Sequence, residues 1–287
     1  MHWTPRREAF RAIIEGKKCV HPGSVFDPIS ARIAEEVGFE VGMYAGSVAS
    51  LAVLGAPDIV LLTLTEFADQ AYRINRAGNL PLLVDADHGY GNALNVRRTV
   101  EELETAGVAA LTIEDTLLPQ AFGTVGETHL ISIEEGVGKM KAALAGRQDP
   151  SLVIAGRTGA PGISGIEDTI KRVTAYEKAG VDAIFMSGIK TQEQLSEVAS
   201  KINVPIFLGG SAAELGALDD LAKQGVRICL QGHQPFQAAV KATYDTLKAL
   251  RDGTPPSDLT TPAPGDMMKR LMENDRHKAS MKDWLGG

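Results

Sequence analysis

Short apolar runs alternate along this chain with longer stretches whose apolar residues recur at helical spacing. The runs fall near residues 19–21, 40–44, 82–87, 109–114, 152–157, 183–186, 206–208 and 228–230. The helical patterns lie near 27–37, 65–78, 92–106, 133–146, 166–178, 191–201, 212–224 and 235–250, after a first amphipathic helix over 6–16. A repeated mark ties the units together: a helix end, a glycine, then a strand, at Gly38, Gly107, Gly180 and Gly225. Glycine after a helix takes the left-handed cap, and the strand starts directly behind it. Strands alternating with helices of this length predict βαβ units and a parallel sheet. Eight such units in about 230 residues predict a (β/α)8 TIM-type barrel over residues 1–250. The competing architecture, a doubly wound open sheet, lacks its G-x-G-x-x-G turn after the first strand. Residues 45–50 read as a small-residue loop. Beyond Leu250 a Pro-rich linker leads to a C-terminal helix from Asp266 to about Trp284, whose Met267, Met268, Leu271, Met272 and Met281 form an apolar face. Residues 251–287 thus read as an extension that covers this face on its own barrel or on a neighbouring subunit.

In a barrel of this kind chemistry sits at the C-terminal strand ends. The third strand delivers Asp85, Asp87 and His88 into a glycine-punctuated turn, Gly89-Tyr90-Gly91. The second offers Tyr44, Gly46 and Ser47; the fourth Glu114 and Asp115; the fifth Arg157; the sixth Ser187; the seventh Gly209, Gly210 and Ser211; the eighth Gln231 and His233. Two carboxylates at one strand end suit a hard cation such as Mg²⁺, which takes oxygen ligands and keeps several waters. Glu114 and, from the Gly55-Ala56-Pro57-Asp58 turn, Asp58 are further acids. Arg157 beside them suits an anionic substrate, a carboxylate or phosphate, clamped bidentately. Each residue also has a plain structural reading: Asp85 and Asp87 as strand-end caps, Arg157 as a salt-bridged plug, His233 as a cap of the helix beginning near Pro235, Ser47 as a turn hydroxyl.

Composition narrows the partners. The 287 residues carry a formal net charge of −7 with no basic run, which argues against nucleic acid or an anionic membrane surface. With 44% hydrophobic and 23% charged residues the chain reads as an ordinary soluble globular protein. No apolar run reaches the ~20 residues of a membrane span, and residues 1–8 show no leader-like apolar stretch. Cys19 and Cys229 lie inside apolar runs, which reads as buried thiols in a cytoplasmic protein.

The ordered set Tyr44-Ala45-Gly46-Ser47-Val48-Ala49, Gly55-Ala56-Pro57-Asp58 with Thr63-Leu64, Asp85-Ala86-Asp87-His88-Gly89-Tyr90-Gly91-Asn92, Ile113-Glu114-Asp115 and Gly156-Arg157-Thr158 resembles the isocitrate lyase/phosphoenolpyruvate mutase superfamily over roughly residues 10–250. The resemblance implies an α/β barrel whose eighth helix is exchanged between subunits, in homodimers or homotetramers. It implies Mg²⁺, with Mn²⁺ as the alternative, near Asp85 and held mostly through water by Asp58, Asp87 and Glu114. It also implies a small 2-oxo or 2-hydroxy carboxylate held by Gly46, Ser47 and Arg157. After Glu114 the chain has neither the cysteine-bearing loop of the lyases nor the Lys- and Asn-containing loop of the phosphonomutases. Glu114-Asp115-Thr116-Leu117-Leu118-Pro119 and the Gly232-His233 pair look like the oxaloacetate decarboxylase branch. Gly159 and Gly209-Gly210-Ser211 depart from relatives at positions facing the pocket.

The resulting expectation is Mg²⁺-dependent decarboxylation of oxaloacetate to pyruvate and CO₂ through a metal-stabilised enolate. Arg157 would stabilise the charge, His233 would orient the far carboxylate, Tyr44 or solvent would return the proton, and residues 116–132 would form a lid. A carbon–carbon lyase or hydrolase on a related dicarboxylate, a non-catalytic carboxylate-binding protein and a structural scaffold are the alternatives.

Overall fold

A parallel ladder runs through the chain in strict sequence order. The computed structural model describes residues 2–210 and 213–286, so Ser211 lies outside the described residues. Eight strands pair each with the next: β1 Gly23–Ser24, β2 Gly42–Tyr44, β3 Leu82–Asp85, β4 Ala110–Glu114, β5 Val153–Thr158, β6 Ala183–Met186, β7 Ile206–Leu208 and β8 Val226–Cys229. The first strand differs from its expected place. Residues 19–21 do not form β1; Val20 makes a single parallel bridge to Ile228, and the ladder to β2 begins at Gly23. The Val20 N–H donates to Arg227 O at 2.9 Å and the Cys229 N–H to Val20 O at 3.0 Å, which closes the sheet on itself. Two short pairings in succession let one segment meet both neighbours, where an unbroken strand was expected.

The helices are α1 Thr4–Glu15, α2 Pro28–Glu36, α3 Gly46–Ala49, α4 Leu64–Asn75, α5 Ala93–Thr105, α6 Ile133–Gly146, α7 Ala160–Ile163, α8 Ile166–Ala179, α9 Gln192–Ala199, α10 Leu218–Lys223, α11 Gln234–Arg251, α12 Gly265–Leu271 and α13 Asn274–Leu285. Local chemistry explains several starts. Asp27, Thr63 and Asn92 each accept a backbone N–H of the following first turn, and residue N3 returns a bond to the cap. Three expectations need correction. The small-residue loop is helical, α3 running into a π-helical turn, Ser50–Leu54. The helix expected over 212–224 is shorter, α10 alone after a 3₁₀ turn. The single C-terminal helix is two, broken at Glu273, whose φ of 51° no α-helix can accommodate.

Strand residues alternate between two apolar layers. Met43, Leu83, Ala110, Val153, Ala155, Ala183, Phe185, Phe207 and Ile228 fill the barrel interior together with Phe10 and Ile14 of α1. Leu82, Val84, Leu111, Ile113, Ile154, Ile184, Met186 and Leu208 pack outward against the helices. Helix α1 therefore stops the N-terminal end of the barrel. Its Arg7, fully buried, donates to Asp149 Oδ2 at 2.8 Å, to Val108 O at 3.0 Å and to Glu104 O. The extension returns to the barrel through Leu271, buried beside α2, where Arg32 donates to Leu271 O at 2.7 Å and Arg270 to Glu36 at 3.0 Å. Met281, Trp284 and Leu285 of α13 stay exposed. Helix α11 buries no residue.

Breaking the Arg7–Asp149 pair is expected to cost about 3–5 kcal/mol, because one buried charge loses its partner. Burial alone would raise the Asp149 carboxyl, but bonds from Arg7, Thr4 and the Ser151 N–H hold it below its ordinary 3.8. Its stabilisation is therefore present above pH 4 and lost as pH falls further. Denaturant unfolding of Arg7→Met should show lower stability at pH 7 and a flatter dependence between pH 4 and 2 than the parent.

Candidate active site

The alternation that builds the barrel also decides which polar side chains reach its mouth. Asp85 has the parity of Leu83, Glu114 and Thr112 that of Ala110, and Arg157 that of Val153 and Ala155, so all four point inward. Register brings them level, with Asp85 opposite Thr112 and Glu114 opposite Arg157. Arg157 is the hub. Its guanidinium donates to Asp85 Oδ2, lies 3.2 Å from Glu114 Oε2 and sits 5.4 Å above the Phe185 ring. Thr112 Oγ1 donates to Asp85 Oδ1 at 3.1 Å, and the Asp87 N–H donates to the same oxygen at 3.2 Å.

The turn after β3 carries Asp87 over the mouth at a conformational cost. Asp87, Gly89, Tyr90 and Gly91 all have positive φ, 47°, 79°, 59° and 146°. Asp tolerates that region and glycine prefers it, but for a bulky tyrosine it is strained. Three contacts fix the turn: the Glu114 N–H donates to Asp87 O at 2.8 Å, the buried Lys139 Nζ donates to His88 O at 2.8 Å, and the buried Thr99 Oγ1 donates to Gly89 O at 3.0 Å. Gly46 makes room for it, because a Cβ there would stand 2.6 Å from Asp87 Oδ1. Gly46 and Ser47 open α3, so their N–H groups have no partner within the helix. Asp58 follows in an exposed segment where Val60 also has positive φ, 61°.

Four carboxylates thus share one guanidinium, and their protonation registers the imbalance. Burial, then Asp85, Asp58 and Glu114, push Asp87 well above the carboxylate range, with Arg157 opposing. Glu114 is raised by burial, with Arg157 pulling it back and Asp85 adding to the rise. Asp58 is raised by desolvation and by Asp85. These oxygen donors lack positive charge, which is the condition a divalent cation relieves. Among the described residues no three His, Cys, Asp or Glu side chains close tightly enough to chelate an ion unaided. A cation that keeps most of its water and takes one or two carboxylates directly fits such a set.

The other expected residues fall on both sides of the barrel wall. His233 reaches the mouth. Its Nδ1 lies 2.9 Å from Ser24 Oγ, and it makes no side-chain cap on α11, contrary to the plain reading. Burial lowers its pKa while Asp85 works to raise it. Ser187 stands beside Gly159 and Gly209; a Cβ at Gly209 would meet Ser187 Cβ at 3.1 Å and Phe185 Cε1 at 3.2 Å. Tyr44 and Asp115 are not brought to the acids. Tyr44 lies in the outer layer, its ring stacked on Phe67 at 5.0 Å, its hydroxyl buried without a partner among the described residues. Asp115, one residue past inward Glu114, turns outward and meets Arg172 and Tyr176. Lys139 and Tyr90 were not singled out as site residues. Lys139 was findable, since it falls among Gly136, Met140 and Ala143 on the apolar face of α6. Tyr90 lies close enough to Asp87, Asp85 and Tyr44 that they raise its phenol, after burial.

The chain is similar to known proteins along nearly its whole length. Residues 10–251 match the family described as Phosphoenolpyruvate phosphomutase. The chain is 61% identical to oxaloacetate decarboxylase of Bradyrhizobium diazoefficiens, covering 100% of this chain and 99% of the relative. It is 60% identical to oxaloacetate decarboxylase of Rhodopseudomonas palustris over 93% of each. Among solved structures it is similar to a phosphonopyruvate hydrolase in complex with oxalate and Mg²⁺, with a TM-score of 0.86, 28% identity and coverage of 98% and 99%. It is also similar to an oxaloacetate acetylhydrolase bound to 3,3-difluorooxalacetate, with a TM-score of 0.85, 26% identity and coverage of 99% and 98%.

Relieving the carboxylate crowding should stabilise the cation-free protein. Because Asp87 is raised on folding, its charge costs stability as pH rises above the ordinary 3.8 toward neutrality. Asp87→Asn keeps a side chain at home at positive φ and removes that charge. Chemical unfolding in EDTA at pH 7 should show a gain of about 0.5–2 kcal/mol, and a smaller fall with pH than the parent.

Proposed function

Because this chain belongs to the phosphoenolpyruvate phosphomutase family, we propose that it is a decarboxylase that converts oxaloacetate to pyruvate and CO₂ with the help of a divalent cation. The observation that carries the reading is 61% identity, end to end, with a relative of that activity. Asp85, with Asp87, Glu114 and Asp58 around it, would hold Mg²⁺ or Mn²⁺. Bound there, the cation supplies Lewis-acid stabilisation of negative charge on the 2-oxo group.

The remaining work falls to the chain's own residues. Arg157, aimed into the mouth by its two carboxylate partners, binds the C1 carboxylate of the substrate and faces the oxygen on which charge develops. The Gly46 and Ser47 N–H groups and the Ser47 hydroxyl hold the same carboxylate from the second strand. The C4 carboxylate lies toward His233, whose charged form burial disfavours although Asp85 opposes this. A cationic clamp at C4 would bind the ground state better than the transition state and slow the reaction. Breaking the C3–C4 bond releases CO₂ and leaves its electron pair shared between C3 and the 2-oxo oxygen. A proton from water then restores the methyl group. No protein base is needed before bond cleavage, which suits a mouth of acids and one arginine. Residues 116–132 act as the lid that excludes water.

The second reading is hydrolytic cleavage of the same substrate, favoured by the structural likeness to an oxaloacetate acetylhydrolase. It yields oxalate and acetate in place of pyruvate and CO₂. We also propose a homodimer or homotetramer built by exchange of α11. Its Val240, Tyr244 and Leu247 share one exposed face. Phe26, Ile33, Val37 and Phe39 line an apolar groove beside β1, next to where α11 leaves the barrel.

Purified protein with Mg²⁺ should form pyruvate from oxaloacetate well above a protein-free blank containing the same metal. EDTA, Asp85→Ala and Arg157→Met should each lower the excess at least 100-fold, a loss of about 2.7 kcal/mol of transition-state stabilisation. Oxalate with acetate as products would select the hydrolase; no excess over the blank would remove both readings. In light scattering, Val240→Glu with Leu247→Glu should shift the protein from oligomer to monomer.

A further inference from the structure

The segment that leaves the barrel after β4 is tied down only at its root. Among the described residues, every hydrogen bond made by residues 117–129 goes to another member of that stretch: Leu117 N–H to His129 O, Thr124 to Ala121 O, Gln120 to Glu127 O, Glu127 N–H to Thr124 O, and His129 with Glu127. Phe122 is fully exposed and Val125 is 88% exposed. The flap is thus a hairpin-like unit, crossed once by the antiparallel Thr116–Leu130 bridge, and its orientation is set by whatever holds its two ends.

Both ends meet one side chain. The outgoing end starts at Asp115 and the returning end reaches Ile131, whose N–H donates to Asp115 O at 2.9 Å. Arg172 Nη1, on α8, donates to Asp115 Oδ2 at 3.1 Å and to Ile131 O at 2.9 Å. Tyr176 adds its hydroxyl to the same Asp115 oxygen at 2.6 Å. Arg172 is itself held by Asp168, at 2.7 Å from Nε, and Asp168 by Ser164 at 2.6 Å. Asp115 is fully buried and Arg172 nearly so, so water does not compete for these bonds and their directions are kept. The packing makes room for the knot, since a Cβ at Gly136 would stand 2.4 Å from the Tyr176 hydroxyl. The knot also reaches the substrate arginine through the backbone: the Asp115 N–H donates to Arg157 O at 3.3 Å.

We propose that Arg172 is a positioning residue for the reaction: with Asp115 and Tyr176 it clamps both roots of the 116–130 flap to α8 and to the strand bearing Arg157, and so fixes how the flap covers bound substrate. The catalytic part rests on the decarboxylase reading; the conformational part does not. Arg172 touches no reacting atom. A guanidinium suits the task because its planar fork serves a carboxylate and a carbonyl together while a third donor holds Asp168. Loss of the fork frees both roots at once, whereas loss of the Asp115 charge alone leaves the Ile131 bond.

Hydrogen exchange followed by mass spectrometry on full-length, cation-free protein tests the clamp directly. In Arg172→Met, peptides spanning 116–131 should exchange at least tenfold faster than in the parent, with peptides of β5 to β7 unchanged. Asp115→Asn, nearly isosteric, should give a smaller rise confined to the same peptides, and Arg172→Lys should restore part of the protection. Steady-state turnover should show KM for oxaloacetate rising about tenfold in Arg172→Met with a smaller fall in kcat, because a loose flap retains substrate poorly. Unchanged flap exchange, a rise spread over the whole barrel, or a loose flap with unaltered KM would each overturn the proposal. A parent enzyme without oxaloacetate turnover would instead overturn the functional reading, and the exchange data would still decide the clamp. Should Arg172→Met fail to fold, Asp115→Asn carries the same comparison.

Discussion

The strand-borne charges at the mouth of this barrel follow from the two-residue period of its strands. A parallel strand covered on both faces sends one side chain inward and the next toward the helices. Leu83 is inward, so Asp85 is inward; Ala110 is inward, so Thr112 and Glu114 are; Val153 is inward, so Arg157 is. A one-residue slip in any of these strands would move its acid or its arginine into the helix layer and bring an aliphatic residue into the mouth. Interior packing and the site's polar chemistry are therefore one specification. Phe10 and Ile14 from below and the charged ring above are the two ends of the same stack of layers.

That stack ends in a charge imbalance that the rest of the fold must hold in place. Asp85 and Glu114 contact Arg157 and Asp87 and Asp58 feel its charge, while the buried Lys139 donates to the neighbouring turn and lies in electrostatic reach of Glu114. A turn with four positive φ values within five residues, and Gly46 pressed against a carboxylate, would relax if the mouth were selected for stability alone. Strain and like charge gathered at one spot, with well-packed apolar layers elsewhere, is the distribution expected where function and stability compete.

Much of this could be read from the sequence because periodicity is a physical signal. The glycine caps at Gly38, Gly107, Gly180 and Gly225 marked the unit repeat, and the strand ends placed Asp85, Glu114 and Arg157. What escaped reading depended on three-dimensional accommodation. The first strand meets two neighbours at two different places, Val20 and Gly23, which no pattern in residues 19–25 announces. Residues 46–54 are helical although Gly46 and Ser47 favour turns, because Val48 and Ala49 are buried in the fold. Tyr44 and Asp115 were assigned to the mouth by their position at strand ends. Parity applied one residue further would have turned both outward, Tyr44 from inward Met43 and Asp115 from inward Glu114. Arg172 and Tyr176 had no local mark at all, since their partner lies 57 and 61 residues earlier.

The guanidinium of Arg7 has a consequence for how the polypeptide is made. Its carboxylate partner, Asp149, is 142 residues downstream, and its carbonyl partners Glu104 and Val108 lie about 100 residues away. At a translation rate of about 5–20 residues per second, the nascent α1 waits roughly 7–28 s before its ion pair can form. During that time Phe10 and Ile14 have no barrel to enter. Helix α1 is thus made long before its native contacts, and an exposed amphipathic helix in that interval is the kind of surface that chaperones recognise.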